Sequence, residues 1–154
     1  MATKSFVGRV GPDGRFVAHT VTYDGYPSGV GAALAAVLGS EWAQGSPARV
    51  LSELAGFRHW WSIGLGLNGP TRVGHPNQRA GEQDLPLVTG QLGRPLDQRS
   101  DQEWGYLFRG EDDLVVVRVG PWWQTPPYPV QQWSTIAVGS IGLVDWTTLS
   151  RTSR

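Results

Sequence analysis

Residues 23–31, with the sequence Tyr-Asp-Gly-Tyr-Pro-Ser-Gly-Val-Gly, join a strand-like run, residues 16–23, to a helix-like run, residues 29–38. The junction holds three glycines, one proline, one serine and two tyrosines. Glycine and proline at this density favour a defined turn, and Ser28 is placed to cap the helix that follows. The sequence thus predicts a fold in which one strand passes through a short, fixed turn directly into a helix.

The chain before this turn predicts a β-hairpin. Residues 5–10 and 15–23 have the character of strands, and the Gly-Pro-Asp-Gly sequence at 11–14 is typical of a tight turn. Side-chain alternation along the second strand places His19 among valines on one face. The hairpin therefore leads straight into the strand-to-helix junction.

Two short helices are predicted after the turn. Apolar residues recur at helical spacing along residues 29–38. They are Val30, Leu34, Val37 and Leu38. A second helix opens at Ser46 and Pro47, because proline is tolerated at the first helical position. Helices this short need a sheet to pack against.

The second half of the chain predicts further strands around a long loop. Strand patterns occur at residues 59–67, 103–108, 114–119 and 133–138. Residues 68–102 are rich in glycine, proline, glutamine and arginine, with few apolar anchors. We expect a long loop there that is functional, partly mobile, or hides a short strand.

Together these elements predict one α+β domain over residues 1–150. Its core is an antiparallel sheet of about five strands with two short helices on one face. Residues 151–154 are expected to form a frayed tail. A chain of 154 residues is long enough to bury a core without metal or disulfide support.

Composition excludes several classes of function. The chain has no cysteine, which removes disulfides, zinc–cysteine sites and thiol nucleophiles. Thirteen basic and thirteen acidic residues give zero formal net charge, and Lys4 is the only lysine, so we expect no nucleic-acid binding. No apolar run approaches the ~18 residues of a membrane span, and the start lacks a signal-type apolar core. We therefore expect a cytoplasmic protein with no membrane association, metal or cofactor.

The turn at 24–31 has two interpretations. Backbone N–H groups at residues 29–31 could hold a carboxylate or phosphate. The residues that this ligand-binding hypothesis names are Gly25, Ser28, Gly29 and Gly31. Against it, the Lys-Ser/Thr pair of a phosphate-binding loop is missing, and Asp24 would repel an anion. A structural turn, in which Asp24 bonds local backbone, explains the same residues and is favoured.

Candidates for catalysis are few. The pair of His19 with Asp24 could act in acid–base chemistry, although a histidine on an apolar strand face is more often a core residue. Residues 64–69 match the glycine spacing of a dinucleotide fingerprint, but Pro70 follows where the required helix would have to begin. For both patterns, a structural role is favoured over a catalytic or nucleotide-binding role.

A proline-stiffened aromatic stretch, residues 121–129, carries the candidates for protein interaction. They are Trp122, Trp123 and Tyr128. Exposed, these side chains would form an interaction surface, since tryptophan and tyrosine dominate binding hot spots. Buried, they would cover the open face of the sheet. Acidic residues between 97 and 113 favour a solvated turn over a cation site.

The sequence from aromatic residue 23 through Asp-Gly-Tyr-Pro to Gly-Val-Gly is similar to the turn of a group of small, largely uncharacterised proteins from actinobacteria and their phages. Such proteins have a hairpin before the turn and, further on, a strand of the type Glu-aromatic-x-Tyr before an aspartate-rich turn, which residues 103–119 match. One departure is Thr22-Tyr23, where members often carry His-Trp. The resemblance covers only part of the chain and implies no firm activity.

The sequence therefore predicts a non-enzymatic interaction or accessory protein with a protein partner, associated with a phage or mobile element. The alternative is a small enzyme or anionic-ligand-binding protein centred on residues 24–31. The identity of the partner or ligand and the oligomeric state stay open.

Overall fold

The structure is a computed structural model, and its helices and strands give the protein an α+β fold. It describes residues 3–22, 24–55, 59–60, 62–66, 69–73, 87–94, 96–98, 101–110, 113–119 and 133–139.

The N-terminal hairpin forms as predicted. Strands β1 (Ser5–Val10) and β2 (Arg15–Val21) pair antiparallel along their whole length. Gly14 closes the turn with a φ of 82°, a conformation that favours glycine. Its N–H donates to the carbonyl oxygen of Gly11 at 3.0 Å.

Two helices follow the hairpin. Residues Pro27–Gly31 form a π-helical turn that continues into α1 (Ala32–Leu38), and α2 (Pro47–Leu54) comes next. The hydroxyl of Ser46 caps α2 by accepting the N–H of Arg49 at 3.3 Å, and proline occupies the first helical position. Both predicted helices are confirmed.

Seven more strands follow in chain order. They are β3 (His59–Trp60), β4 (Ser62–Gly66), β5 (Gly69–Val73), β6 (Val88–Gln91), β7 (Trp104–Phe108), β8 (Leu114–Val119) and β9 (Trp133–Gly139). The main sheet has the order β3-β2-β1-β7-β8-β9, and β6 also pairs with β2. Residues 15–18 of β2 pair with β6 and residues 20–21 with β3, so these two short strands share one edge.

The sheet is mixed, and the prediction of a purely antiparallel sheet was wrong. β1 pairs with β7 in parallel, and so does β2 with β3. The five longer strands β2, β1, β7, β8 and β9 are consecutive in the sheet, in line with the predicted number. Side-chain alternation is the same beside a parallel or an antiparallel neighbour. The residue pattern therefore could not reveal that the N-terminal hairpin and the β7–β8–β9 meander meet through strands that run in the same direction.

Both helices cover the same face of the sheet. Val7, Tyr106 and Val116 point from β1, β7 and β8 into a core that also contains Leu34 of α1 and Val50 of α2. All five side chains are fully buried. The predicted placement of the two helices on one face is confirmed, and burial of this apolar surface is the main source of stability for helices of this length.

The opposite face has a second core. Phe6 and Phe16 stack with ring centroids 5.4 Å apart, and Leu107, Val115 and Leu96 pack in the same cluster. The odd and even residues of each central strand thus contribute to different cores. Burial on both faces explains why β8 is an almost continuous run of valines.

The described part of residues 68–102, where a long loop that is functional, partly mobile or hides a short strand was expected, contains two short strands. β5 pairs with β4 in a separate hairpin, and β6 adds to the main sheet. Glycine in both strands, and Pro70 in β5, obscured them, because glycine and proline are depleted in strands. Residues 74–86 lie outside the described part of the chain.

Candidate functional site

The strand-to-helix turn bonds to itself through its backbone. The carbonyl of Asp24 accepts the N–H of Val30 at 2.7 Å, and the carbonyl of Tyr26 accepts the N–H of Gly29 at 2.9 Å. Asp24 has a φ of 57°, and none of the three glycines in the turn has a positive φ. The left-handed residue is therefore the aspartate, a residue type that tolerates this conformation better than most.

Gly29 is required for a steric reason instead. A Cβ at this position would overlap the carbonyl oxygen of Asp24, a backbone atom that cannot rotate away. The close approach allows the chain to fold back so that Asp24 and Val30 can bond. Glycine here provides space between two backbone segments rather than an unusual dihedral angle.

A second set of contacts attaches the turn to the sheet. The N–H of Gly25 donates to the carbonyl of Thr3 at 3.0 Å. The buried hydroxyl of Tyr106 in β7 donates to the carbonyl of Gly25 at 2.6 Å. A Cβ on Gly25 would lie 2.5 Å from the Thr3 oxygen and 2.9 Å from Cβ of Ser5, so this glycine too is tightly enclosed.

Tyr106 is the residue of this site that the sequence did not identify. It is fully buried, and burial raises the pKa of its hydroxyl well above the usual value, so it stays a neutral donor. The alternating strand pattern predicted only that Tyr106 lies on the same face of the sheet as Trp104 and Phe108. The one available signal was the resemblance, which named both the turn and the Glu-aromatic-x-Tyr strand without linking them.

Ser28 does not cap the helix, contrary to expectation. The helical segment begins two residues earlier than predicted, with Pro27 at its first position and Tyr26 as the residue before it. No side-chain hydrogen bond caps this end, and Ser28 is exposed within the first turn. Gly31 is buried and has helical dihedral angles. Because two of the N–H groups at residues 29–31 already have carbonyl partners, the turn offers less to an anion than its sequence suggested.

The two catalytic candidates lie in different elements. His19 is half-buried in β2 opposite Val7, in a row that continues to Tyr106 on the helix-covered face. Asp24 is exposed in the turn, where its carboxylate accepts a hydrogen bond from the hydroxyl of Tyr26 at 3.1 Å. In the dinucleotide-type glycine spacing, Gly64 and Gly66 lie in β4 and Gly69 begins β5, so a strand stands where a pyrophosphate site needs a helix.

Acidic residues of the 97–113 region take part in surface ion pairs. Asp97 accepts two hydrogen bonds from Arg15, at 2.6 and 3.3 Å, and these bonds lower the pKa of its carboxyl group below the usual range. Asp101 pairs with Lys4 at 2.9 Å. Within the described residues, no group of three histidine or acidic side chains could hold a metal ion.

Other predicted features lie outside the described residues. These are the interaction candidates Trp122, Trp123 and Tyr128, and the tail at 151–154. Among the described segments, no helix has the length and apolarity to cross a bilayer.

Comparison with known proteins yields no match: no family model, no curated protein and no solved structure matches this chain.

Proposed function

We propose that this chain is a non-enzymatic interaction or accessory protein that acts on a protein partner in the cytoplasm. The observation that favours this class over a small-ligand site is the bonding within the turn at 24–31. Its carbonyl and N–H groups are engaged with each other, with Thr3 and with Tyr106. A turn held in this way supports the fold, so the segment that most resembled a ligand site has a structural explanation.

The proposed contact residues are Trp122, Trp123 and Tyr128. The argument for them is chemical: proline stiffening lowers the ordering cost of presenting aromatic side chains, and rings of this size contribute strongly to binding. The association with a phage or mobile element rests on the sequence resemblance alone.

A second surface competes with the aromatic stretch. Val17 is 53% exposed on β2 and lies opposite the exposed Arg9 of β1. Because single exposed valines are common on protein surfaces, a substitution at Val17 is best used as the control for substitutions in the aromatic stretch.

The experiment is affinity capture from lysate of the source cells, with mass spectrometry of what is retained. Replacing Trp122 and Trp123 together by alanine should abolish capture of the specific partner, whereas Val17→Ser should retain it. Circular dichroism and a denaturation curve on each variant establish that it is folded. Loss of capture with Val17→Ser, but not with the folded tryptophan variant, would move the interface to the sheet.

One observation favours the alternative of an enzyme or anion-binding protein. Asp24 holds a positive φ while its carboxylate is exposed, and backbone strain of this kind concentrates at functional sites. If this alternative is correct, Asp24→Ala and His19→Ala should each remove a ligand that native mass spectrometry finds on the wild-type protein, and the tryptophan variant should keep it.

A further inference from the structure

The chain contains two described Asp-Gly pairs, Asp13-Gly14 and Asp24-Gly25. In such a pair the glycine nitrogen can attack the aspartate side-chain carbonyl carbon. A new C–N bond forms, the protonated carboxyl group loses its hydroxyl, which leaves as water with the amide proton, and a succinimide ring results. Water then opens the ring at either carbonyl, which gives aspartate or isoaspartate. Glycine is the most permissive neighbour because it has no side chain to obstruct the attack.

The surroundings of Asp13 permit this reaction. Asp13 is exposed at the tip of the β1–β2 turn, and its carboxylate accepts an exposed bond from the N–H of Arg15 at 3.0 Å. A Cβ on Gly14 would meet nothing closer than the Gln91 side chain at 3.7 Å, so the glycine has open space around it. The Gly14 N–H donates to Gly11 at 3.0 Å, the Gly14 carbonyl accepts the N–H of Leu92 at 2.8 Å, and the Asp13 carbonyl accepts Nε2 of Gln91 at 3.5 Å. None of these residues is fully buried, so the three bonds lie near the surface, where water can replace them.

The surroundings of Asp24 oppose the same reaction. Its nucleophile, the Gly25 nitrogen, is in a buried residue and donates to Thr3. Ring closure must rotate the Asp24–Gly25 peptide, and the carbonyl oxygens on both sides of Gly25 nitrogen are held: that of Asp24 by Val30 and that of Gly25 by the buried Tyr106 hydroxyl. Releasing buried bonds of this kind costs about 1–3 kcal/mol each.

We propose that Asp13 is a site of spontaneous isoaspartate formation in the folded protein and that Asp24, with the same neighbour, is protected by its attachment to β7. Isoaspartate at position 13 routes the backbone through the side-chain carbon and lengthens the turn that sets the β1–β2 register. The modification would therefore alter the turn between β1 and β2. The strand-to-helix turn at 24–31 would remain unmodified.

The test is incubation of the folded protein in H₂¹⁸O near neutral pH, followed by digestion in ordinary water. Each ring opening introduces ¹⁸O, whichever product forms. Trypsin cleavage after Arg9, Arg15 and Arg49 places Asp13 and Asp24 on separate peptides, so mass spectrometry reads both sites in one sample. The same incubation in concentrated urea measures the labelling rate of each site in the unfolded chain. The ratio of the folded rate to this rate removes the effect of the neighbouring sequence.

We expect Asp24 to be labelled at least about tenfold more slowly in the folded protein than in urea, which corresponds to the loss of one buried bond. Asp13 should change by a much smaller factor. Tyr106→Phe should accelerate labelling of Asp24 and leave Asp13 unchanged, whereas Tyr26→Phe, which removes only the exposed hydroxyl bond, should have little effect. Equal folded-to-urea ratios at the two sites, or faster labelling at Asp24, would overturn the proposal. The wild-type comparison decides the question even if Tyr106→Phe does not fold.

Discussion

At the scale of single residues, the strand-to-helix turn depends on a division of roles between Asp24 and Gly29. The aspartate adopts the left-handed conformation, and the glycine leaves room for the aspartate carbonyl. That carbonyl then accepts the N–H of Val30 and closes the turn. Substitution at the two positions should thus have different physical consequences.

Gly29→Ala should lower the free energy of unfolding by about 2 kcal/mol or more, because its Cβ would overlap a backbone oxygen that cannot move alone. Gly39→Ala is the matched control, since Gly39 is exposed, has a helical φ of −79° and a Cβ there would lie at an ordinary 3.4 Å from Ala35 oxygen. The control should be neutral or slightly stabilising. Urea denaturation measures both, and equal stabilities would disprove the steric role of Gly29.

Ser5→Ala should stabilise the protein by about 1 kcal/mol. Ser5 is fully buried beneath Gly25, and within the described part of the chain no group bonds to its hydroxyl. Removing a buried hydroxyl that has no partner relieves its desolvation penalty. Ser5→Val, by contrast, should destabilise because Cβ of this residue already lies close to Gly25. A loss of stability in the alanine variant would reveal a partner for the hydroxyl.

At the scale of elements, the second core depends on aromatic rings that lie over small residues. Phe6 and Phe16 are four residues apart in the β1–β2 register, about 13 Å along the strands, yet their rings stack. They therefore lean toward each other over the intervening pair Gly8 and Ala18. The Phe6 ring also occupies the place where Gly105 of β7 would carry a Cβ.

Gly105→Ala should therefore cost about 1–3 kcal/mol, as overpacking of a dense core does. Combining it with Phe6→Leu tests the origin of that cost, because the smaller side chain vacates part of the space above residue 105. The double variant should be more stable than the sum of the two single effects predicts. Strict additivity would show that Phe6 and Gly105 do not share this contact.

At the scale of the whole molecule, stability should be graded from the middle of the sheet to its edge. β7 and β8 have paired neighbours on both sides and contribute to both cores. β6 is a four-residue strand attached to β2 and supported at its end by the surface pair of Arg15 and Asp97. Surface ion pairs contribute little, so β6 is held mainly by its ladder bonds and by the packing of Val88 in the second core.

Hydrogen exchange should follow this gradient. Amides of residues 88–91 should exchange faster than those of residues 114–119, because opening the edge strand exposes far less of the core. Mass spectrometry of peptic fragments over a time course measures both segments. Equal protection would mean that β6 unfolds only together with the whole sheet.

Charge at the whole-molecule scale predicts weak attraction to nucleic acids. The formal net charge is zero, and Lys4, Arg15 and Arg109 each have a carboxylate partner. Little counterion release is then available. Fluorescence anisotropy with DNA and RNA at low and high salt should show no complex tighter than micromolar, and a tight, salt-sensitive complex would contradict this prediction.

Sequence alone determined the local elements with good accuracy. The bounds of the first strand, of the valine-rich strand and of the Ser46-capped helix follow from alternation, turn chemistry and capping, which depend on neighbours in sequence. A fixed turn at 24–31 was predicted from its glycine and proline content, but its geometry was not, since the left-handed residue is Asp24 and Ser28 does not cap the helix. The helical segment starts two residues earlier than predicted, because proline occupies its first position.

Only the tertiary structure decided the contacts between distant segments. The parallel pairing of β1 with β7 and the bond from Tyr106 to Gly25 join residues about eighty or more positions apart. Strand patterns repeat every two residues whatever the direction of the neighbouring strand. Such a pattern also does not predict which carbonyl group the hydroxyl of a tyrosine will bond. Those choices are made by the packing of the whole chain, because burial of both sheet faces selects one arrangement among many that the local pattern allows.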